Sequence, residues 1–241
     1  MPAEKNQLRL QLPLPVSYDY HSWFRHSGVE DACNRLALWT VHGGRIWLNS
    51  ESAAGKSHLL RTMAGDHPSI ALLDISSDQA HGASLQLVQQ WMKMLEEKSF
   101  WMLDLKAGAM PLALGHALFH CLERARELQR PVVVAWSGDV ATLPPELSSR
   151  LLAMEAVTLS PPQDDEGLLQ ILGNSAGKLQ WDIREQVLQS MLTYLPRQLD
   201  ILVPALKELE RLSFEQKHKP GPAWVKQQLT RIAEELHPRL L

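Results

Sequence analysis

A short apolar segment, GRIWLN (44–49), runs into a loop of small residues and then into KSHLLRTMAG. No other feature constrains the fold as tightly. It reads as a buried strand, a turn and a helix stopped by Gly65. Such a turn aims consecutive backbone N–H groups and a helix N-terminus at one point, which suits a phosphate. Lys56 adds positive charge near β- and γ-phosphates, and Ser57 offers a hydroxyl to Mg²⁺. The pattern G-x-x-x-x-G-K-[ST] is met at every fixed position but the first, where Ser50 stands. A serine fits if its backbone stays at negative φ. Ser52, Ala53, Ala54 and Gly55 leave room for the phosphates. A bare Gly-Lys-Ser is an ordinary turn; set between a strand and a helix, it favours nucleotide binding.

The rest of the chain extends the pattern. A helix precedes the first strand in GVEDACNRLALWTV. Further strands are expected at 69–76, 99–105, 131–138 and 155–160. Helices separate them in SLQLVQQWMKMLEE, LGHALFHCLERARELQ and PELSSRLLAM, the first two with apolar residues at helical spacing. Alternating strands and helices predict an α/β domain: a three-layer αβα sandwich around a five-stranded parallel sheet. Ligands of such sheets sit at the carboxyl ends of the strands. After Pro161-Pro162 only helices are expected, in DDEGLLQILGNSAG, REQVLQSMLTYL, PRQLDILVPALKELERLSF and PAWVKQQLTRIAEELH. The predicted division is an extended arm (1–20, unable to be helical through Pro13 and Pro15), a nucleotide-binding domain (21–160) and a small all-helical lid (161–241).

Composition excludes several classes. With 45% hydrophobic residues, 241 residues can bury a proper core. A net charge of -3 argues against an autonomous DNA binder with a broad basic face. The two cysteines suggest neither a disulfide framework nor a zinc site, which fits a cytoplasmic protein. No secretory signal or membrane span is expected. The eight tryptophans are scattered rather than interleaved with basic residues, and read as core or partner contacts.

Four more positions carry candidate chemistry. Asp104 ends the third strand in FWMLD, where a carboxylate holds Mg²⁺ through water; the alternative is a strand-end turn residue. Ser137, with Asp139 second, stands at the tip of the fourth strand, where a polar group points at a γ-phosphate or attacking water. A Ser-Gly-Asp turn explains it equally well. Arg150 in LSSRLL can reach a nucleotide held by a neighbouring protein and stabilise its transition-state charge. Arg197, at the first turn of a lid helix, can fold over the phosphates or pair with Asp200. His116 and His120 have helical metal-ligand spacing but no partner motif. The carboxylates of QDDEG (163–167) suit a helix N-terminus.

Taken in order, the GKSHLL loop, the Asp-ended strand, the polar strand tip, the SSRLL arginine and the PRQLD arginine resemble an AAA+ ATPase. More narrowly, they resemble the DnaA family of bacterial initiators and its DnaA-related regulators. The resemblance covers nearly the whole chain. It implies that residues 52–58, including His58, together with Ser137 and Arg197, hold ADP or ATP, and that Ser57 and Asp104 hold Mg²⁺. It implies that Arg150 acts in trans as an arginine finger on DnaA, and that Tyr18 to Phe24 lie near the adenine. The expected chain ends after the lid, without the DNA-binding domain of DnaA. In the arm, Gln11, Leu12, Leu14, Pro15 and Val16 resemble the clamp-binding peptide of those regulators. Prolines keep such a peptide extended, so docking costs little ordering entropy. The implied partners are the sliding clamp and DnaA, with DNA reached mainly through the clamp; a homo-oligomer is left open.

The chain departs from the pattern at Ser50, at Leu105 where a second acid normally follows Asp104, and at Trp136 where a polar residue is usual. These departures imply weakened catalysis in cis. The competing readings are a self-standing AAA+ ATPase such as a helicase loader, a non-enzymatic clamp-bound adaptor, and a small-molecule kinase.

Overall fold

The computed structural model describes residues 23–75, 85–106, 110–217 and 219–236. Gln11, Leu12, Leu14, Pro15 and Val16, and Tyr18 of the segment expected near the adenine, lie outside the described residues.

The elements run α1 (Ser27–His42), β1 (Arg45–Asn49), α2 (Lys56–Asp66), β2 (Ile70–Ile75), α3 (Leu85–Glu96), β3 (Phe100–Leu105), α4 (Leu112–Glu127), β4 (Val132–Ala135), α5 (Pro145–Leu152) and β5 (Glu155–Thr158). The helices α6 (Asp165–Lys178), α7 (Glu185–Tyr194), α8 (Leu199–Glu215) and α9 (Pro222–Leu236) follow. The five strands form one parallel sheet in the order β2-β3-β4-β1-β5.

That order decides which helix covers which face. The step from β1 to β2 crosses the sheet in one direction, and the later steps return in the other. Right-handed crossovers then put α2 on one face and α3, α4 and α5 on the opposite one. The buried clusters follow this division. On one face Leu36 and Trp39 of α1 and Leu59 and Leu60 of α2 pack on Leu48, Met102 and Val133. On the other, Trp91, Leu95, Leu114, Leu118, Leu147 and Leu151 pack on Trp101, Leu103, Val132 and Val134. Successive strand side chains point to opposite faces, so β3 alternates between the two cores. Each fully buried Leu or Val contributes roughly 1.5–3 kcal/mol relative to exposure, and both faces are lined with them.

Trp39, Trp101 and Trp136 are fully buried, which agrees with the reading of tryptophans as core residues. The four later helices bury their own cluster, including Leu172, Met191, Leu202, Leu206, Leu209 and Leu229. Several boundaries differ from the sequence expectation: α2 is not stopped by Gly65 but runs through it to Asp66, and β5 ends at Thr158 instead of residue 160. α4 begins at Leu112, capped by Pro111, two residues ahead of the expected start. β4 ends at Ala135 instead of residue 138, and the Ser137 side chain beyond it turns to the loop after β1.

Candidate phosphate-binding site

The loop residues, Asp104 and Ser137 gather at the carboxyl edge of the sheet. β1 ends at Asn49, held to β5 by a 2.7 Å bond from Thr158 Oγ1 to Asn49 Oδ1. The loop then turns into α2 through Gly55, whose φ of 84° is the left-handed conformation that glycine adopts without strain. No side chain caps α2 and no acid stands in its first turn, so its leading N–H groups are left to an outside acceptor. Trp23 closes the loop from outside: a Cβ on Gly55 would meet the Trp23 ring at 3.0 Å.

Ser50 does not require glycine's freedom. Among the described non-glycine residues positive φ occurs at Gln129, Gln180 and Lys217, and not at Ser50. The side chain is buried, and its hydroxyl donates to the Ser52 carbonyl at 2.6 Å. The Lys56 ammonium donates to the same hydroxyl. Burial lowers the Lys56 pKa from its ordinary value, and the nearby Asp104 carboxylate opposes that shift.

Asp104 lies in phase with Met102 on β3, so it points to the α2 side of the sheet. There Ser57 Oγ donates to its Oδ1 at 3.0 Å. The residue is 2% exposed, and its Oδ2 is buried without a hydrogen-bond partner. Burial raises the pKa of this carboxyl, and the bond from Ser57 works the other way. A hydroxyl beside an unsatisfied buried carboxylate oxygen is a donor set that suits Mg²⁺, which takes one or two protein oxygens and completes its shell with water and phosphate. Leu105, out of phase by one, packs into the opposite core at 5% exposure. A second acid at that position is therefore replaced by an apolar core residue.

The same alternation separates Trp136 from Ser137. Trp136 is in phase with Val134 and fully buried in the α3–α5 layer. Ser137 returns to the α2 side, where its Oγ accepts the Ser50 N–H at 3.0 Å. Asp139, the second candidate at this tip, instead caps a short 3-10 turn by accepting from Ala141 N at 2.9 Å.

The two arginines are not at the loop. Arg150 donates to Glu123 Oε1 on α4 at 2.6 Å and is 40% exposed. Arg197 precedes the Gln198 cap of α8 and so lies just outside the helix, a small correction to the expected first-turn position. It makes a two-pronged pair with Asp165, at 2.8 and 3.1 Å, rather than the expected alternative pair with Asp200.

His116 and His120 are exposed on α4, and among the described residues no group of three His, Cys, Asp or Glu side chains is placed to hold a metal. The acids of QDDEG sit as expected at the start of α6, where Asp164 accepts from Gly167 N at 2.6 Å.

Two residues at this edge were not foreseen, Asp74 and Lys178. Asp74 of β2 stands in register with Asp104 and is paired with both Arg61 and Lys106. Burial works against its ionisation, but the bonds from Lys106 and Arg61 outweigh it and hold the carboxyl below its ordinary value. The repeated strand endings LLD and MLD carried that signal. Lys178, at the end of α6, reaches His58 Nε2 at 2.7 Å. An ammonium only donates, so Nε2 accepts and His58 is neutral. Burial, then the charges of Lys178 and Arg61, pull the His58 pKa down to about 4. Trp23 packs edge-on against the same ring at 5.0 Å.

A scan against models of known protein families finds no match. Solved structures do share the architecture. Domain III of the replication initiation protein DnaA from Thermotoga maritima superposes with a TM-score of 0.70 over 90% of this chain and 98% of that one, at 16% identity. The fold is the AAA+ fold. AMPPCP-bound DnaA from Aquifex aeolicus gives 0.60 over 93% of this chain and 71% of that one, at 14% identity. The Thermotoga maritima RuvB Holliday junction branch migration motor gives 0.60 over 92% and 73%, at 12% identity. Among the described residues no helix is long and apolar enough to cross a membrane.

Proposed function

We propose that this protein binds an adenine nucleotide with Mg²⁺ and acts as a Hda-like negative regulator of replication initiation. In this reading residues 52–58, with Ser137, hold the phosphates, and Ser57 and Asp104 hold the metal. The observation that carries it is the pairing of Ser57 with Asp104 beneath an uncapped helix start, with one buried carboxylate oxygen left unsatisfied. Bound Mg²⁺ would supply charge neutralisation at the phosphates. The DnaA-like fold supports the family assignment, and AMPPCP bound to a neighbour of that fold supports an adenine nucleotide.

The regulatory part rests on a contrast within the chain. Leu105 offers no base to activate water in cis, whereas Arg150 is half-buried on a surface helix, where its pair with Glu123 leaves it within reach of a partner. A protein that supplies an arginine in trans can lose its own turnover and keep its role. The proposed organisation is an arm (1–20) that docks on the sliding clamp through Gln11, Leu12, Leu14, Pro15 and Val16, a nucleotide-binding domain (21–160) and a lid (161–241). The proposed site of action is the cytoplasmic replisome, with DNA reached through the clamp.

The test is ATP hydrolysis by DnaA on clamp-loaded DNA, with and without this protein, using the Arg150→Ala and Gln11→Ala variants. Stimulation by the wild type that is lost with both variants is expected. Absence of wild-type stimulation would sink the regulatory reading. Stimulation that survives Arg150→Ala would point to an adaptor, and strong hydrolysis by this protein alone to a self-standing ATPase.

A further inference from the structure

We propose that Ser50 is a specificity-determining residue that ties up Lys56 and Ser137, the two groups suited to read a terminal phosphate, and so favours a nucleoside diphosphate over a triphosphate. The proposal rests on the nucleotide-binding reading above and names the ligand class of that same site.

Proton accounting around the hydroxyl carries it. Ser50 has one O–H, which goes to the Ser52 carbonyl at 2.6 Å. Lys56 donates into the Ser50 oxygen. Ser137 Oγ lies 3.3 Å from Ser50 Oγ. With the Ser50 proton already engaged, Ser137 is the donor in that contact. Ser137 also accepts the Ser50 N–H at 3.0 Å, so both of its functions face the loop. A glycine at position 50 would leave the Lys56 ammonium and the Ser137 hydroxyl free of this oxygen.

The two nucleotide classes meet this arrangement differently. A phosphate-loop lysine reaches both β- and γ-phosphates, and its remaining protons serve a β-phosphate without leaving Ser50. A polar group at the tip of β4 faces a terminal phosphate. To engage one, the Ser137 hydroxyl must turn away from Ser50, and Lys56 must shift its charge outward. Ser50 is only 6% exposed, so water replaces the broken contacts poorly. The penalty falls on the triphosphate. A residue that merely filled the loop would instead change both affinities together.

The experiment is calorimetric titration of the full chain with ADP and with AMPPCP, each with Mg²⁺, on the wild type and on Ser50→Ala, Ser50→Gly and Lys56→Ala. Losing about one hydrogen bond's net value predicts wild-type binding of ADP roughly 10-fold tighter than of AMPPCP. Ser50→Ala is expected to bring the ratio close to 1 by tightening AMPPCP, with ADP changed by less than about 2-fold. Ser50→Gly, which restores the usual loop residue, should do the same, so the test survives if one variant folds poorly. Lys56→Ala should lose both ligands, which checks the underlying reading separately. Intact binding with an unchanged ratio in both Ser50 variants overturns the proposal alone. No binding of either nucleotide by the wild type and by both Ser50 variants overturns the nucleotide reading, and the proposal with it.

Discussion

Helices α2 and α6 both begin with backbone N–H groups that lack intrahelical partners, yet the two starts are furnished in opposite ways. At α6 the Asp164 carboxylate accepts from Gly167 N at 2.6 Å, and Asp165 and Glu166 stand in the first turn. Arg197 then balances Asp165 with two bonds. That terminus answers its own dipole. At α2 the cap is Gly55, no side chain accepts from the first turn, and the first helical residue is the cation Lys56. Negative charge supplied from within the chain marks a structural start; a positive, uncapped start with small residues around it marks one that takes its anion from outside.

Lys56→Ala should have the largest effect, because it removes the partly buried charge that the proposed site would turn to the phosphates. Nucleotide affinity should fall roughly 100-fold, read by calorimetry, if a charge-assisted bond of the usual strength is lost. Retained binding would break the contrast at its root. Gly55→Ala comes next. It forces a side chain into φ 84° and against Trp23. We expect a stability loss of about 1–2 kcal/mol by chemical denaturation, together with weakened binding. Asp164→Ala should cost about 1 kcal/mol of stability and leave nucleotide affinity unchanged. A loss of affinity there would show that the lid start belongs to the site.

A smaller effect concerns pH. His58 titrates in the fold at about 4 against an ordinary 6.5, so the unfolded chain takes up the proton first. Stability from this group is intact above the ordinary value and is lost as pH falls from 6.5 toward 4. The melting temperature should therefore drop more between pH 7 and pH 5 in the wild type than in His58→Gln. Equal drops would remove His58 and its Lys178 contact as the cause. The smallest change in this protein's own binding is expected for Arg150→Ala. Its partner Glu123 is on the surface, where water screens the pair, so calorimetry and melting should both stay at wild-type values.

How far the residues alone lead depends on the range of the interaction involved. The strand running into GKSHLL, the apolar spacing of α3 and α4, and the change to helices after Pro161-Pro162 are local patterns, and the elements lie where those patterns put them. The roles of Leu105 and Trp136 were legible as departures, since position along a strand gives the face. The tolerance of Ser50 was legible only as a condition on φ, which the backbone meets. Asp74 was visible in principle, because two strands end in the same leucine-aspartate pair. Lys178 was not, because its partner His58 is 120 residues away. Nor was the occupation of Arg197 by Asp165, 32 residues away, since only Asp200 lay at local spacing.

By itself, then, the amino-acid order determined the class of fold, the strand–turn–helix around Gly55, and the face to which each strand residue points, because hydrophobic period and turn chemistry act within a few residues. The tertiary structure alone decided the strand order β2-β3-β4-β1-β5 and, with it, which distant side chains meet. β4 lies beside β1, which brings Ser137 to Ser50 across 87 residues. Hydrogen bonds of that kind depend on how whole layers pack, and no local pattern encodes them. In that contact the serine standing in glycine's place became a hydroxyl with defined partners.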